Sequence, residues 1–191
     1  VAEPNSDQVE PETKSFETIK CLFVGIDWER KGGKTAIDAV AAARELGLNV
    51  ELHICGCTPE IEPQPWIHVH GFLSKNSSRD NETIARLYSE AHIFLLPTRA
   101  ESYGHVFCEA AAYGLPVISI NTGGIPSIVV DGETGYLFDD SDDSAGMAQA
   151  IQSLTHQPHY ISMATAARER YDITLSWKSW AEGLSQAMDA L

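Results

Sequence analysis

The sequence predicts an α/β domain built as a three-layer sandwich, with a mostly parallel sheet between helices and further helices at the C-terminus. Three observations lead there. Short apolar runs alternate with helix-like stretches, several of those runs are apolar throughout, and after Asp142 only helical periodicity remains. Alternation predicts parallel pairing, because each return to a parallel strand needs a crossover. Runs that never alternate belong to strands covered on both faces.

The elements follow in order. Residues 1–16, VAEPNSDQVEPETKSF, carry two prolines and no period, the composition of a linker or lead-in segment, so the domain is expected over 17–191. Strands are expected at 21–25, 50–56, 67–72, 92–97, 116–121 and 135–138, and helices at 34–46, 82–91 and about Tyr103 to Tyr113. Gly114-Leu-Pro116 closes one helix and opens the next strand, and Asp131-Gly-Glu-Thr-Gly135 is a turn cluster. Three helices follow, at roughly 143–156, 158–171 and 177–190. On the last, Trp177 and Trp180 are expected to pack; an exposed pair there would mark a docking surface.

Composition narrows the function. A formal charge of −14 leaves no basic face for nucleic acid or anionic lipid. No run approaches the ~20 apolar residues of a membrane span, and no export pattern opens the chain, so a cytoplasmic location is expected. The four cysteines fall in apolar or alternating runs and are expected as buried free thiols. Cys55-x-Cys57 with His53 suggests a metal only superficially, since the three would line one strand face with no second cluster. His53, His68 and His70 are expected as half-buried strand residues.

The segment 95–124, LLPTRAESYGHVFCEAAAYGLPVISINTGG, carries the most chemistry. A strand runs into a polar loop and then a helix, which places the amides of Gly104, His105 and Val106 at a helix N-terminus beyond a strand's carboxyl end. Such an end offers unpaired donors and a positive dipole to phosphate, where open α/β sheets bind ligands. Glu101 precedes that helix and Glu109 lies within it, and a carboxylate can accept two hydroxyls of a sugar or ribose. A second segment, FVGIDWERKGG at 23–33, ends a strand at Gly25 and delivers Arg30 and Lys31 to the same edge. In a chain with 13 basic residues these form either a solvated loop pair or a positive spot for a diphosphate.

The spacing Glu101-x7-Glu109, with Pro97, Gly104, Ala110, Gly114-x-Pro116-Val117 and Gly123-Gly124 around it, resembles the donor-site signature of family 4 retaining glycosyltransferases. The likeness extends over about residues 20–190. It implies the GT-B arrangement of two Rossmann-like domains, with this chain as the C-terminal, donor-binding one and inactive as a transferase alone. It implies a hexosyltransferase acting on a nucleotide-diphosphate sugar with retention and without a metal cofactor. Glu101 would be the catalytic carboxylate at the transferred sugar, and Glu109 would hold the ribose. The helix end Tyr103, Gly104, His105 and Val106 would meet the donor, with the His105 and Val106 amides on the diphosphate. Gly25, Arg30 and Lys31 would face the phosphates, and Phe72 and Leu73 would lie along the base. The family arginine after the strand glycine is replaced here by Ile26, with Arg30 the candidate substitute. The implied partner is an acceptor-binding domain outside these residues, through which any peripheral membrane contact would pass. Two other functions share the architecture: half of a nucleotide-sugar epimerase, and a non-catalytic nucleotide-sugar-binding module. On any of them both carboxylates would reserve their partners for ligand, so that replacing either would leave stability nearly unchanged.

Overall fold

The computed structural model describes residue 11 and residues 14–189. Most of the expected linker therefore lies outside the described residues. Its end does not hang free: the Phe16 ring packs edge-on against His92 and Tyr160, with centroids 5.1 and 4.9 Å away. Lys14 donates to the Ala91 carbonyl, and burial pushes its ammonium down to about 8.

Six strands form one sheet: β1 (Ile19–Val24), β2 (Val50–Cys55), β3 (Ile67–Gly71), β4 (Ile93–Leu96), β5 (Val117–Ile120) and β6 (Gly135–Phe138). Their order is β3-β2-β1-β4-β5-β6 and every pairing is parallel, more strictly than expected. Even the return from β2 to β3, an irregular loop over 56–66, brings the chain back in the same direction. The apolar runs of β4 and β5 are buried at every residue, as strands covered on both faces must be.

The helices are α1 (Gly33–Glu45), α2 (Ser78–Glu90), α3 (His105–Ala112), α4 (Ile125–Ile128), α5 (Ser144–Ser153), α6 (Gln157–Arg170) and α7 (Trp177–Asp189), with a π-helical turn at Tyr171–Leu175. Alanines dominate the buried face of α1 (Ala36, Ala39, Ala43), which lets it approach α5 closely. α2 begins four residues earlier than expected, because the Ser77 side chain accepts the Asp80 amide and caps the first turn. α4 and the π-helical turn were not anticipated; both are shorter than the window over which helical periodicity is visible.

The strand order places the site. From β1 the chain winds through β2 to β3, then returns to the other side of β1 and winds through β4 to β6. The loops leaving β1 and β4 therefore part on opposite sides of a crossover point, which opens a crevice at the carboxyl edge of the sheet.

Candidate functional site

The first wall of the crevice is the loop after β1. Lys31 is buried at 8% exposure and its stem lies across Gly25, where an added Cβ would stand 2.8 Å from Lys31 Cγ. Its ammonium reaches the loop after β4 and pairs with Glu101; the two side chains are 10% and 14% exposed. Arg30 works differently. Its Nε donates to Asp27 at 3.1 Å and its Nη1 to the Ala100 carbonyl at 2.9 Å, while its own carbonyl accepts the Arg99 amide at 2.9 Å. Arg30 thus stitches the two loops together. The Arg30 amide in turn holds the Asp27 carboxyl below its ordinary value.

The second wall is the loop from Pro97 to Gly104 and the start of α3. Gly104 has φ 97°, in the left-handed region that costs side-chain-bearing residues, and it ends the loop. Tyr103 therefore lies outside the helix, which begins two residues later than expected. The Phe107 amide bonds the Gly104 carbonyl at 2.9 Å, so the His105 and Val106 amides ahead of it have no intrahelical acceptor. Gly123 braces the loop from below: an added Cβ would sit 1.7 Å from the Glu101 carbonyl oxygen.

Glu109, half-buried on α3, holds two partners. Its Oε2 accepts the Tyr88 hydroxyl at 3.1 Å, and its Oε1 pairs with Lys75 from the loop after β3. Burial, and then Glu109 itself, raise the Tyr88 hydroxyl well above its ordinary value and keep it a donor. Beside Glu109 opens a cavity of about 690 Å³ walled by Lys75, Tyr103, His105, Trp177 and Trp180. That volume lies within the ~300–1,000 Å³ of small-molecule sites. His105 stacks on Trp177 at 6.2 Å and 24° and meets Tyr103 edge-on at 5.3 Å.

The expected residues therefore form two adjoining groups. Gly25, Arg30, Lys31 and Glu101 gather at the crossover, while Tyr103, His105 and Glu109 line the cavity, with Gly104 and the half-buried Val106 between. Of the pair after β3, Phe72 is 67% exposed and Leu73 packs against the core. Trp177 and Trp180 overturn the packing expectation: they are 68% and 60% exposed, because α7 rests chiefly on the π-helical turn. Lys75 and Tyr88 escaped sequence reasoning. The scarcity of basic residues could have drawn attention to Lys75 in a strand-end loop, but nothing local distinguishes Tyr88.

All four cysteines are free, three are buried and Cys57 is half-buried. Burial raises Cys21 to about 12 and Cys55 to about 11, well short of thiolate at neutral pH. Cys57 lies beyond the end of β2, so it does not share a strand with His53 and Cys55 as expected. Instead Glu51, His53 and His68 converge on one face, a grouping invisible until the strands are paired.

Residues 18–157 match the family described as glycosyl transferases group 1. The chain is 37% identical over 179 residues to the D-inositol 3-phosphate glycosyltransferase of Corynebacterium diphtheriae, covering 88% of this chain and 42% of that one. Its likeness to the enzyme of the same name from Corynebacterium glutamicum is 33% over 180 residues, covering 89% and 43%. The chain thus spans less than half the length of the curated relatives it matches. In structure it superposes on a sucrose-phosphate synthase from Thermosynechococcus elongatus with a TM-score of 0.73 at 24% identity, covering 98% of this chain and 49% of that one. Anabaena HepE, solved with UDP and glucose, gives a TM-score of 0.73 at 18% identity, covering 92% and 49%. No helix among the described residues is long and apolar enough to cross a membrane. With the match running through β1 to β6 and both carboxylates of the crevice, the chain belongs to the glycosyl transferases group 1 family.

Proposed function

We propose that this chain is the donor-binding half of a hexosyltransferase that moves a sugar from a nucleotide diphosphate to an acceptor, with retention of anomeric configuration. The observation that carries the reading is the Lys31–Glu101 pair at the crossover, beside a helix N-terminus whose first amides have no intrahelical acceptor among the described residues. A diphosphate entering there meets the helix dipole and competes with Glu101 for the Lys31 ammonium. Once Lys31 turns to phosphate, Glu101 is released to accept hydroxyls of the sugar. As the bond to the nucleotide breaks, charge grows on the diphosphate, where Lys31 and the helix end are already aimed. That positive wall makes a metal at the phosphates dispensable. On the other side of Gly104, Glu109 offers a carboxylate to the ribose, and Phe72 an exposed ring to the base.

Structural neighbours support the donor class: HepE and a pneumococcal O-GlcNAc transferase were both solved with UDP. The acceptor wall belongs to a second domain, so transfer needs more than this chain, and binding is the property to test. Calorimetry and thermal shifts with UDP-, GDP- and ADP-hexoses are expected to give weak, saturable binding to one of them, with stabilisation by mass action. No response to any of the three would reject the reading. In the full-length protein, acceptor-dependent product with the donor's anomeric configuration is expected; epimerised sugar formed without acceptor would point to an isomerase instead.

A further inference from the structure

Glu51 and His53 stand two apart on β2 and so project from the same face of the sheet, and His68 on the edge strand β3 is in register with His53. Glu51 Oε2 lies 3.4 Å from His53 Nε2 and 3.6 Å from His68 Nε2, and the two imidazoles stack with centroids 4.8 Å apart. The three ligand atoms all lie within 4.8 Å of one another. A tetrahedral ion bound at about 2.0–2.2 Å separates its ligand atoms by about 3.3 Å, close to the two Glu51 distances.

A further observation points to a cation, and the contact to His70 is of the kind that orients a ligating imidazole. His68 Nε2 is shielded from solvent and has no hydrogen-bond partner among the described residues, an arrangement that costs free energy unless a ligand meets the atom. On its far side His53 presents Nδ1 to His70 Nε2 at 3.1 Å, with the rings within 9° of parallel. A proton on Nδ1, shared toward His70, leaves the His53 Nε2 lone pair to an ion beside Glu51, whereas a proton on Nε2 makes the same contact a hydrogen bond to the carboxylate.

We propose that Glu51, His53 and His68 form a three-ligand site for a divalent transition ion of the zinc class, with His70 as the outer hydrogen-bond partner that fixes the His53 tautomer. Imidazole nitrogen with one carboxylate suits zinc and its neighbours and disfavours magnesium and calcium, which take oxygen. The ion staples edge strand β3 to β2. Because β3 runs on through Phe72 to Lys75, the staple steadies the loop that brings Lys75 to Glu109. It uses none of the donor-site residues and stands or falls independently of the function proposed above.

The test is titration of the chelator-stripped chain with Zn2+ by calorimetry, and with Co2+ followed by its visible absorption. One ion per chain is expected, with cobalt bands of tetrahedral intensity. His53→Ala and His68→Gln should each weaken Zn2+ binding at least ten-fold, and His70→Ala about ten-fold as a ligand-orienting neighbour. Cys57→Ser and His156→Gln should leave it unchanged. An unaltered metal-free melting curve for His68→Gln separates loss of the site from loss of the fold. Absence of Zn2+ binding to the unaltered chain, unchanged affinity in both histidine variants, or loss in Cys57→Ser would each overturn the site; in the first two cases a proton on His53 Nε2 holds Glu51 instead.

Discussion

Lys31 and Glu101, 70 residues apart in sequence, form an ion pair at the point where the loops leaving β1 and β4 part. Both side chains are largely shut from solvent, so salt screens the pair weakly, and removing one member strands the other's charge. This revises the expectation that Glu101 keeps its partners for ligand: in the free domain its partner is part of the fold.

Glu101→Ala is therefore expected to destabilise the domain by about 2 kcal/mol, below the ~3–5 kcal/mol of a fully buried pair because the crevice is open. Thermal unfolding followed by circular dichroism should show Tm falling by about 4–8 °C in a domain of this size. Lys31→Met combined with Glu101→Gln should recover part of the loss, since neither charge is then stranded. Losses that simply add in the double variant would place the two residues in separate environments.

The bracing glycine gives a second prediction. A methyl group at Gly123 would overlap the Glu101 carbonyl oxygen at 1.7 Å, so Gly123→Ala must displace the loop that carries Glu101. Nucleotide-diphosphate affinity is expected to fall about ten-fold with Tm down by several degrees. A variant with unchanged affinity would free the loop from this contact.

The pH dependence of stability should carry the mark of His92. Burial, then the neighbouring Lys14, holds its imidazole at about 4 against an ordinary value of 6.5. Its Nδ1 accepts the Lys20 amide at 3.1 Å and its Nε2 bonds the Ser15 carbonyl at 2.9 Å, so the neutral ring is built in. The folded state therefore binds this proton less readily than the unfolded chain. Its contribution is intact above 6.5 and is lost as pH falls from 6.5 toward 4, the loss approaching about 3 kcal/mol below that. Urea denaturation at successive pH values should show that loss. His92→Asn, which keeps an acceptor for the Lys20 amide, should shrink it by the His92 share and leave the share of the partly buried His53 and His70.

The sheet and the crevice were legible in the sequence for local reasons. The unbroken apolar runs of β4 and β5 announced covered strands, and Gly104 before α3 announced a helix end at a strand's carboxyl edge. What stayed hidden depends on pairing between distant segments. His53 and His68 read as separate half-buried residues until the β2–β3 register set them side by side, and Lys75 could be matched to Glu109 only once β3 was placed at the sheet edge. The exposure of Trp177 and Trp180 was missed for another reason: an amphipathic pattern shows that a face is apolar but does not show what covers it.

The two carboxylates of the crevice should separate by ligand. Glu109 lines the cavity and is proposed to hold ribose, while Glu101 sits at the crossover and is proposed to meet the transferred sugar. Alanine would orphan the Tyr88 hydroxyl at one site and Lys31 at the other, so glutamine is the informative substitute: it keeps the shape and one acceptor oxygen and loses the charge. Trading a charge-assisted bond for a neutral one costs on the order of 1–2 kcal/mol, which is roughly a five- to thirty-fold loss of affinity. Glu109→Gln is expected to weaken nucleoside diphosphate and nucleotide sugar alike. Glu101→Gln should weaken the nucleotide sugar and leave the plain nucleoside diphosphate bound as well or better, because Lys31 no longer has a competing carboxylate. Calorimetry with both ligands on both variants reads the difference directly. If Glu101→Gln weakens the nucleoside diphosphate as much as the sugar donor, Glu101 does no more than position Lys31.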